Sequence, residues 1–110
     1  MRTIRPSLQA GLWHPEVDEI ELTGVLHALS DPIRLDIVRQ LDASTEERPC
    51  GSFDLPVTKS TASHHFRLLR ECGVVSTRED GTKKLQRLRR ADLDQRFPGL
   101  LDAVLAAPSQ

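Results

Sequence analysis

The stretch Lys59 to Val75, KSTASHHFRLLRECGVV, constrains this chain more than any other. It gives about 13 to 15 residues of helix before Gly73, the residue type that most readily takes the positive φ found just past a helix C-terminus. On a wheel advancing about 100° per residue it separates into two faces. Ala62, His65, Phe66, Leu68, Leu69 and Cys72 share one arc, and Ser60, Ser63, His64, Arg67 and Arg70 share the other, with Glu71 the one acid nearby. The first arc has the composition of a buried stripe. The second presents hydroxyl, imidazole and guanidinium groups, which suit phosphates and base edges. The pattern is that of a DNA recognition helix, anchored on one side and free on the other.

Charge is distributed in a way that fits. The 110 residues carry a net charge of −1, which by itself does not suit a nucleic-acid binder. Residues 1–57, however, hold five Arg and ten Asp or Glu, whereas Lys59 to Arg90 holds nine basic residues against three acidic ones, a local +6. A near-neutral chain with one basic segment has a local electrostatic footprint. The length fits one small domain of a size that often gains stability by dimerising. No run of 18 apolar residues is present, so no membrane span is expected. MRTIRPSLQAGLW lacks the apolar core of a secretory signal. Two Cys without a short pairing fit a reducing cytoplasm.

Residues 1–15 contain Pro6, Gly11 and Pro15, show no periodicity and read as a flexible arm, with Leu12 and Trp13 able to pin it to the body and Arg2 and Arg5 able to touch DNA. Residues 16–107 form the domain. VDEIEL (17–22) is extended or a helical entry. Thr23 is positioned to cap a short helix through Leu29 whose Val25, Leu26 and Leu29 face inward. Asp31-Pro32 is a strong helix start, with an N-cap acceptor followed by the proline suited to the first turn. The helix runs to Leu41 or Ala43 with Ile33, Ile37, Val38 and Leu41 as its stripe. Arg34 falls inside that stripe and is expected to sit in a structural ion pair. Ser44 to Pro49 is a polar loop, and Cys50 to Leu55 supplies one or two helical turns ended by Pro56. Short helix, tight turn and longer helix make a helix-turn-helix. Beyond Gly73, Val74 to Arg78 reads as a strand and Asp80-Gly81 as a hairpin turn. Lys83 to Arg89 returns as a twisted or irregular strand, because Leu85 and Leu88 are three apart. The hairpin carries Arg78, Lys83, Lys84, Arg87 and Arg89 and forms a basic wing. A last helical segment, interrupted at Pro98-Gly99, has Leu93, Phe97, Leu100, Leu101, Val104 and Leu105 at helical spacing, a face that a second copy would cover.

Three segments, ALSDPIRLDIVRQL (28–41), STASHHFRLLRECGVV (60–75) and STREDGTKKLQRLR (76–89), together resemble the ArsR/SmtB-type bacterial winged-helix repressors over about Thr23 to Arg90. The resemblance implies an α+β, mostly α, winged helix-turn-helix with a two-stranded β-hairpin wing. It implies a cytoplasmic homodimer that binds double-stranded DNA at a palindromic operator and represses transcription. It places Thr61, Ser63 and His64 nearest the bases and Arg67 near phosphate. With the basic positions, the expected DNA-binding set is Lys59, Ser60, Thr61, Ser63, His64, Arg67, Arg78, Lys83, Lys84 and Arg87. Metal-sensing members of the family commonly carry a Cys-x-Cys in the helix before the helix-turn-helix, or Asp/His ligands in the last helix. Here no Cys lies between Asp31 and Pro49, and Asp92 to Gln110 has neither His nor Cys. Asp92, Asp94 and Asp102 alone are weak ligands for soft metals. The family's inducing ions are therefore not carried over, and no metal or cofactor is expected.

Cys50 and Cys72 are the remaining sensor candidates, and a thiol- or ligand-responsive switch is the alternative they support. Cys72 falls on the inward arc, where an inert buried thiol is the simpler expectation. Adjacent His64 and His65 point about 100° apart on a helix and cannot chelate one ion together; His64 faces out and His65 inward. His14 and His27 have no metal-ligand spacing to any Cys. No phosphate-cradling glycine loop or catalytic triad is present, so no enzyme is expected. A winged-helix module that binds only protein is the remaining alternative, and the +6 segment speaks against it.

Overall fold

A computed structural model of the chain describes residues 11–108; Arg2 and Arg5 of the arm lie outside the described residues. A single 3-10 turn, Val17–Glu19, opens the domain and decides between the two conformations open to 17–22. Helix α1 is Leu22–Leu29, α2 is Pro32–Asp42 and α3 is Lys59–Glu71. Strands β1 (Arg48–Pro49), β2 (Val75–Asp80) and β3 (Lys83–Leu88) form an antiparallel sheet in the order β1-β3-β2. Helices α4 (Arg90–Arg96) and α5 (Leu100–Ala106) follow, separated by Gly99 at φ +82°. The fold is a winged helix-turn-helix with a two-stranded wing.

The core gathers Ile20 from the entry, Val25, Ala28 and Leu29 from α1, and Ile37, Val38 and Leu41 from α2. Phe66 and Leu69 come from α3, Val74, Val75 and Leu88 from the sheet side, and Leu93 and Leu101 from the last two helices. Asp31 caps α2 as expected, accepting from the backbone N–H groups of Ile33 and Arg34 at 2.9 and 3.1 Å. Gly73 takes φ +86° directly after α3, so the helix stops where the sequence says it must.

Four expectations need correction. Thr23 is not a cap: α1 begins two residues earlier than a Thr23 cap would have it, its N-cap is Glu21, and no side chain caps it. Leu26 points outward and is 45% exposed, while Ala28 takes the inward place. The helical turns expected across Cys50 to Leu55 shrink to one 3-10 turn, Cys50–Ser52, before an extended Phe53. Pro49 and Pro56 leave no room for a regular helix between them. Finally, β3 is regular. Its register with β2 is unbroken from Val75↔Leu88 to Asp80↔Lys83, and Gln86, 1% exposed, shares the inner face with Leu88. Leu85 lies on the opposite face, as period-two alternation requires.

The segment before the domain is tied down at the wing. Arg70 Nε donates to Trp13 O at 3.1 Å, and Arg89 Nη1 donates to Pro15 O at 2.8 Å. The Thr77 backbone N–H donates to His14 Nε2 at 2.9 Å. Arg70, on the polar arc by sequence, is thereby committed to holding this strap.

Candidate nucleic-acid interface

Helix α3 is launched by Thr58, whose Oγ1 accepts from the Thr61 N–H at 3.2 Å. From that start, Lys59, Ser60, Thr61, Ser63, His64 and Arg67 are all exposed. His65, Phe66 and Leu69 are buried, and Ala62, Leu68 and Cys72 are half-buried. The division into two faces follows the sequence except at Arg70, which is half-buried and turned to the Trp13 carbonyl. Thr61 Oγ1 also accepts from the Thr58 hydroxyl at 3.1 Å, so its side chain is engaged in the cap at the helix entrance.

The inward histidine ties α3 to α2. Arg34 is 7% exposed, and its Nη1 lies 3.2 Å from His65 Nδ1. Arginine has no acceptor, so the ring nitrogen accepts and carries no proton there. Arg34 Nε and Nη2 donate to the carbonyl oxygens of Ala28 and His27, at 2.8 and 3.1 Å. The structural role expected for Arg34 holds, but its partner is not a carboxylate: among the described residues no ion pair includes it. The carbonyls at the C-terminal end of α1 take that place.

Of the cations among the ten candidate residues, two are already held by carboxylates. Arg67 pairs with Glu71 one turn on, at 3.1 Å. Arg78 is held by Glu47, with Nη2 to Oε1 at 2.8 Å and Nε to Oε2 at 3.1 Å. Lys59, Lys83, Lys84 and Arg87 are exposed and enter no ion pair among the described residues. Lys84 and Lys83 stand across the ladder from Glu79 and Asp80, which offset part of the charge at the wing tip. Behind the wing, Arg89 pairs with Asp92, and Arg90 pairs with Asp42, Asp94 and Asp102. Of the nine basic residues behind the segment's +6, only Lys59, Lys83, Lys84 and Arg87 enter no ion pair among the described residues.

The two thiols are poor nucleophiles in this setting. Burial pushes the Cys50 thiol above its ordinary value, and a hydrogen bond from Gln86 Nε2 to Sγ at 3.0 Å offsets only part of that. Burial also pushes Cys72 up. Both are free thiols. Among the described residues no three His, Cys, Asp or Glu side chains converge as a metal-binding set. No helix of these residues is long and apolar enough to cross a membrane.

Two contributions were not visible in the sequence. Gln86 is buried between the Thr77 hydroxyl, which donates to its Oε1 at 2.8 Å, and Cys50. Glu47, which reads only as part of a polar loop, turns out to sit on the wing. The charge of the Glu46-Glu47 pair was a signal, but nothing in the spacing says which cation it meets.

Comparison with known proteins agrees with this geometry. Residues 31–77 match the family described as bacterial regulatory protein, arsR family. The chain is 39% identical over 82 residues to the uncharacterized HTH-type transcriptional regulator YceK of Bacillus subtilis (strain 168), covering 73% of this chain and 82% of that protein. The chain belongs to the arsR family. A second relative, the arsenical resistance operon repressor of Staphylococcus xylosus, is 35% identical over 67% of this chain and 71% of its own length. Among solved structures, the transcriptional repressor BigR from Xylella fastidiosa superposes with a TM-score of 0.59 at 28% identity, over 79% of this chain and 88% of that one. An ArsR-like transcriptional regulator from Rhodococcus sp. RHA1 gives 0.59 at 27% identity, over 74% and 77%. As an arsR-family protein the chain is a DNA-binding transcriptional regulator and not an enzyme.

Proposed function

We propose that this arsR-family regulator represses transcription in the cytoplasm, as a homodimer seated on a palindromic operator. One observation carries the reading: Lys59, Lys83, Lys84 and Arg87, in no ion pair among the described residues, accompany the exposed hydroxyl and imidazole face of α3. Ser60, Ser63 and His64 approach base edges in the major groove, with Thr61 at the margin. Lys59, Lys83, Lys84 and Arg87 meet phosphates, and Arg67 and Arg78 join them by leaving their carboxylates. Two copies put two such helices roughly 34 Å apart, in successive major grooves. Two separate sets of apolar residues are available for that pairing: Leu22 and Leu26, each 45% exposed on α1, and the half-buried Val104 and Leu105 of α5. The thiol switch gains no such support, since burial keeps Cys50 and Cys72 in the thiol form.

Duplex DNA from upstream of the protein's own gene, titrated over a salt series, tests the reading. Neutralising Lys83, Lys84 or Arg87 weakens binding to every sequence and flattens the log–log salt slope by about 1 for each phosphate that is no longer neutralised. Ser63→Ala or His64→Ala instead changes which sequence is preferred, by about 1–3 kcal/mol per base recognised. Unchanged operator binding by a variant lacking the three wing cations, Ser63 and His64 together sinks the proposal.

A further inference from the structure

The wing carries Arg78, Lys83, Lys84 and Arg87, and of these four only Arg78 is held in an ion pair among the described residues. Its partner comes from outside the wing. Glu47 immediately precedes β1, whose Arg48 pairs with Gln86 of β3. Arg48 does not compete for Glu47. Its guanidinium donates to the Ser52 carbonyl at 2.8 Å and lies 4.2 Å from the centroid of the Phe53 ring. The Glu47 backbone is therefore fixed to the sheet, and its carboxylate is delivered to the outward face of the wing.

On that face the ladder sets Ser76 opposite Arg87, with Arg78 two residues along the same strand. Glu47, Ser76, Arg78, Arg87 and Arg89, with Glu16 as a second acid, are among the residues lining a shallow cavity of about 430 Å³. The hydrogen bonds from Arg78, and after them the charges of Arg78 and Arg87, hold the Glu47 carboxyl below its ordinary value, so it is ionised at neutral pH. A carboxylate gripped at two points by a guanidinium has the geometry that a phosphate oxygen pair adopts on the same group. The Arg78 side chain remains 58% exposed, so the pair is open to exchange.

We propose that the outward face of the wing is a phosphate site built on Arg78 and Arg87, and that Glu47 is its internal occupant. A DNA backbone phosphate displaces the carboxylate from Arg78. The ion pair lowers affinity for all duplex DNA alike and keeps one of the wing's guanidinium groups in reserve. The inference rests on the DNA-binding reading above and adds to it a residue that opposes binding.

A double-mutant cycle with non-specific duplex DNA, read by fluorescence anisotropy over a salt series, tests the site. The proteins are wild type, Glu47→Gln, Arg78→Ala and the double variant, with Glu47→Ala as a second way of removing the carboxylate. Removing the carboxylate tightens binding roughly two- to fivefold, the range expected of an exposed ion pair. The salt slope stays near the wild-type value, because Arg78 neutralises the same phosphate with and without the carboxylate and only the cost of breaking the ion pair is removed. In the Arg78→Ala background the same change also leaves the slope where it was and yields a smaller gain. Wild-type affinity in both Glu47 variants overturns the inference, as does a gain of equal size without Arg78, which marks a diffuse charge effect. If wild type retains no duplex DNA even at low salt, the DNA-binding reading itself fails, and this site with it.

Discussion

At the N-terminus of α2 the Asp31 carboxylate accepts two backbone hydrogen bonds beside Arg34. Burial alone pushes its carboxyl up. The Arg34 N–H, the charge of Arg34 and the Ile33 N–H outweigh burial and hold the carboxyl below the ordinary value. A carboxyl with a lowered folded pKa adds stability above its unfolded pKa and loses it as pH falls through the folded one. For Asp31 that window begins at about pH 4 and extends downward. Asp31→Ala therefore costs about 1 kcal/mol at neutral pH, the usual worth of a cap. Urea unfolding of both proteins between about pH 7 and pH 3 shows the gap narrowing below about pH 4; a gap constant across that range removes the charge from the account. The sequence announces this cap because Asp-Pro is a local signal. It announces equally that Arg34 falls in an apolar stripe. It does not announce the partner, because the carbonyls of His27 and Ala28 and the ring of His65 are brought together only by tertiary packing.

At the scale of elements, α3 is legible because its two faces differ in chemistry at every turn, and Gly73 marks its end. The glycine is required twice over. Its φ is +86°, and a Cβ there would lie 2.6 Å from Cγ1 and 2.9 Å from Cδ1 of Ile20, which is itself 1% exposed. Gly73→Ala combines left-handed strain of about 1–2 kcal/mol with overpacking of about 1–3 kcal/mol. Thermal or urea unfolding should show a loss on the order of 3 kcal/mol. A loss below about 1 kcal/mol would mean that Ile20 and the turn can shift to make room. The wing hairpin is legible through its Asp-Gly, and Gly81 has φ +62° with only Gly81 and Thr82 between the strands. The face of β3 is not. Leu85 and Leu88 stand out by hydropathy, whereas burial follows alternation and puts Gln86 inside, where Thr77 and Cys50 satisfy it. The one or two helical turns expected before α3 come down to one for a related reason. Composition allows two, but Pro49 and Pro56 leave only one 3-10 turn.

For the molecule as a whole, Leu26 is the most informative misassignment. It is apolar and expected inside, yet it and Leu22 stand one turn apart on the solvent side of α1, each 45% exposed. The α2 stripe, α3 and the sheet already fill the core that α1 faces, so these leucines gain nothing within one chain. In the homodimer proposed above, a second copy gives them cover. Replacing both, as Leu22→Glu with Leu26→Glu, puts like charges where the two copies meet and leaves the core residues of α1 in place. Sedimentation of the variant then shows a monomer with wild-type helix content by circular dichroism. Its affinity for an operator with two half-sites falls roughly 100-fold or more, because the second half-site is no longer bound intramolecularly. Its affinity for a single half-site stays within about twofold of wild type, since α3 and the wing are untouched. A variant that still sediments as a dimer rules these leucines out as the dimer interface. Equal losses on one and two half-sites would show that α1 acts on the DNA-binding face itself rather than through a partner.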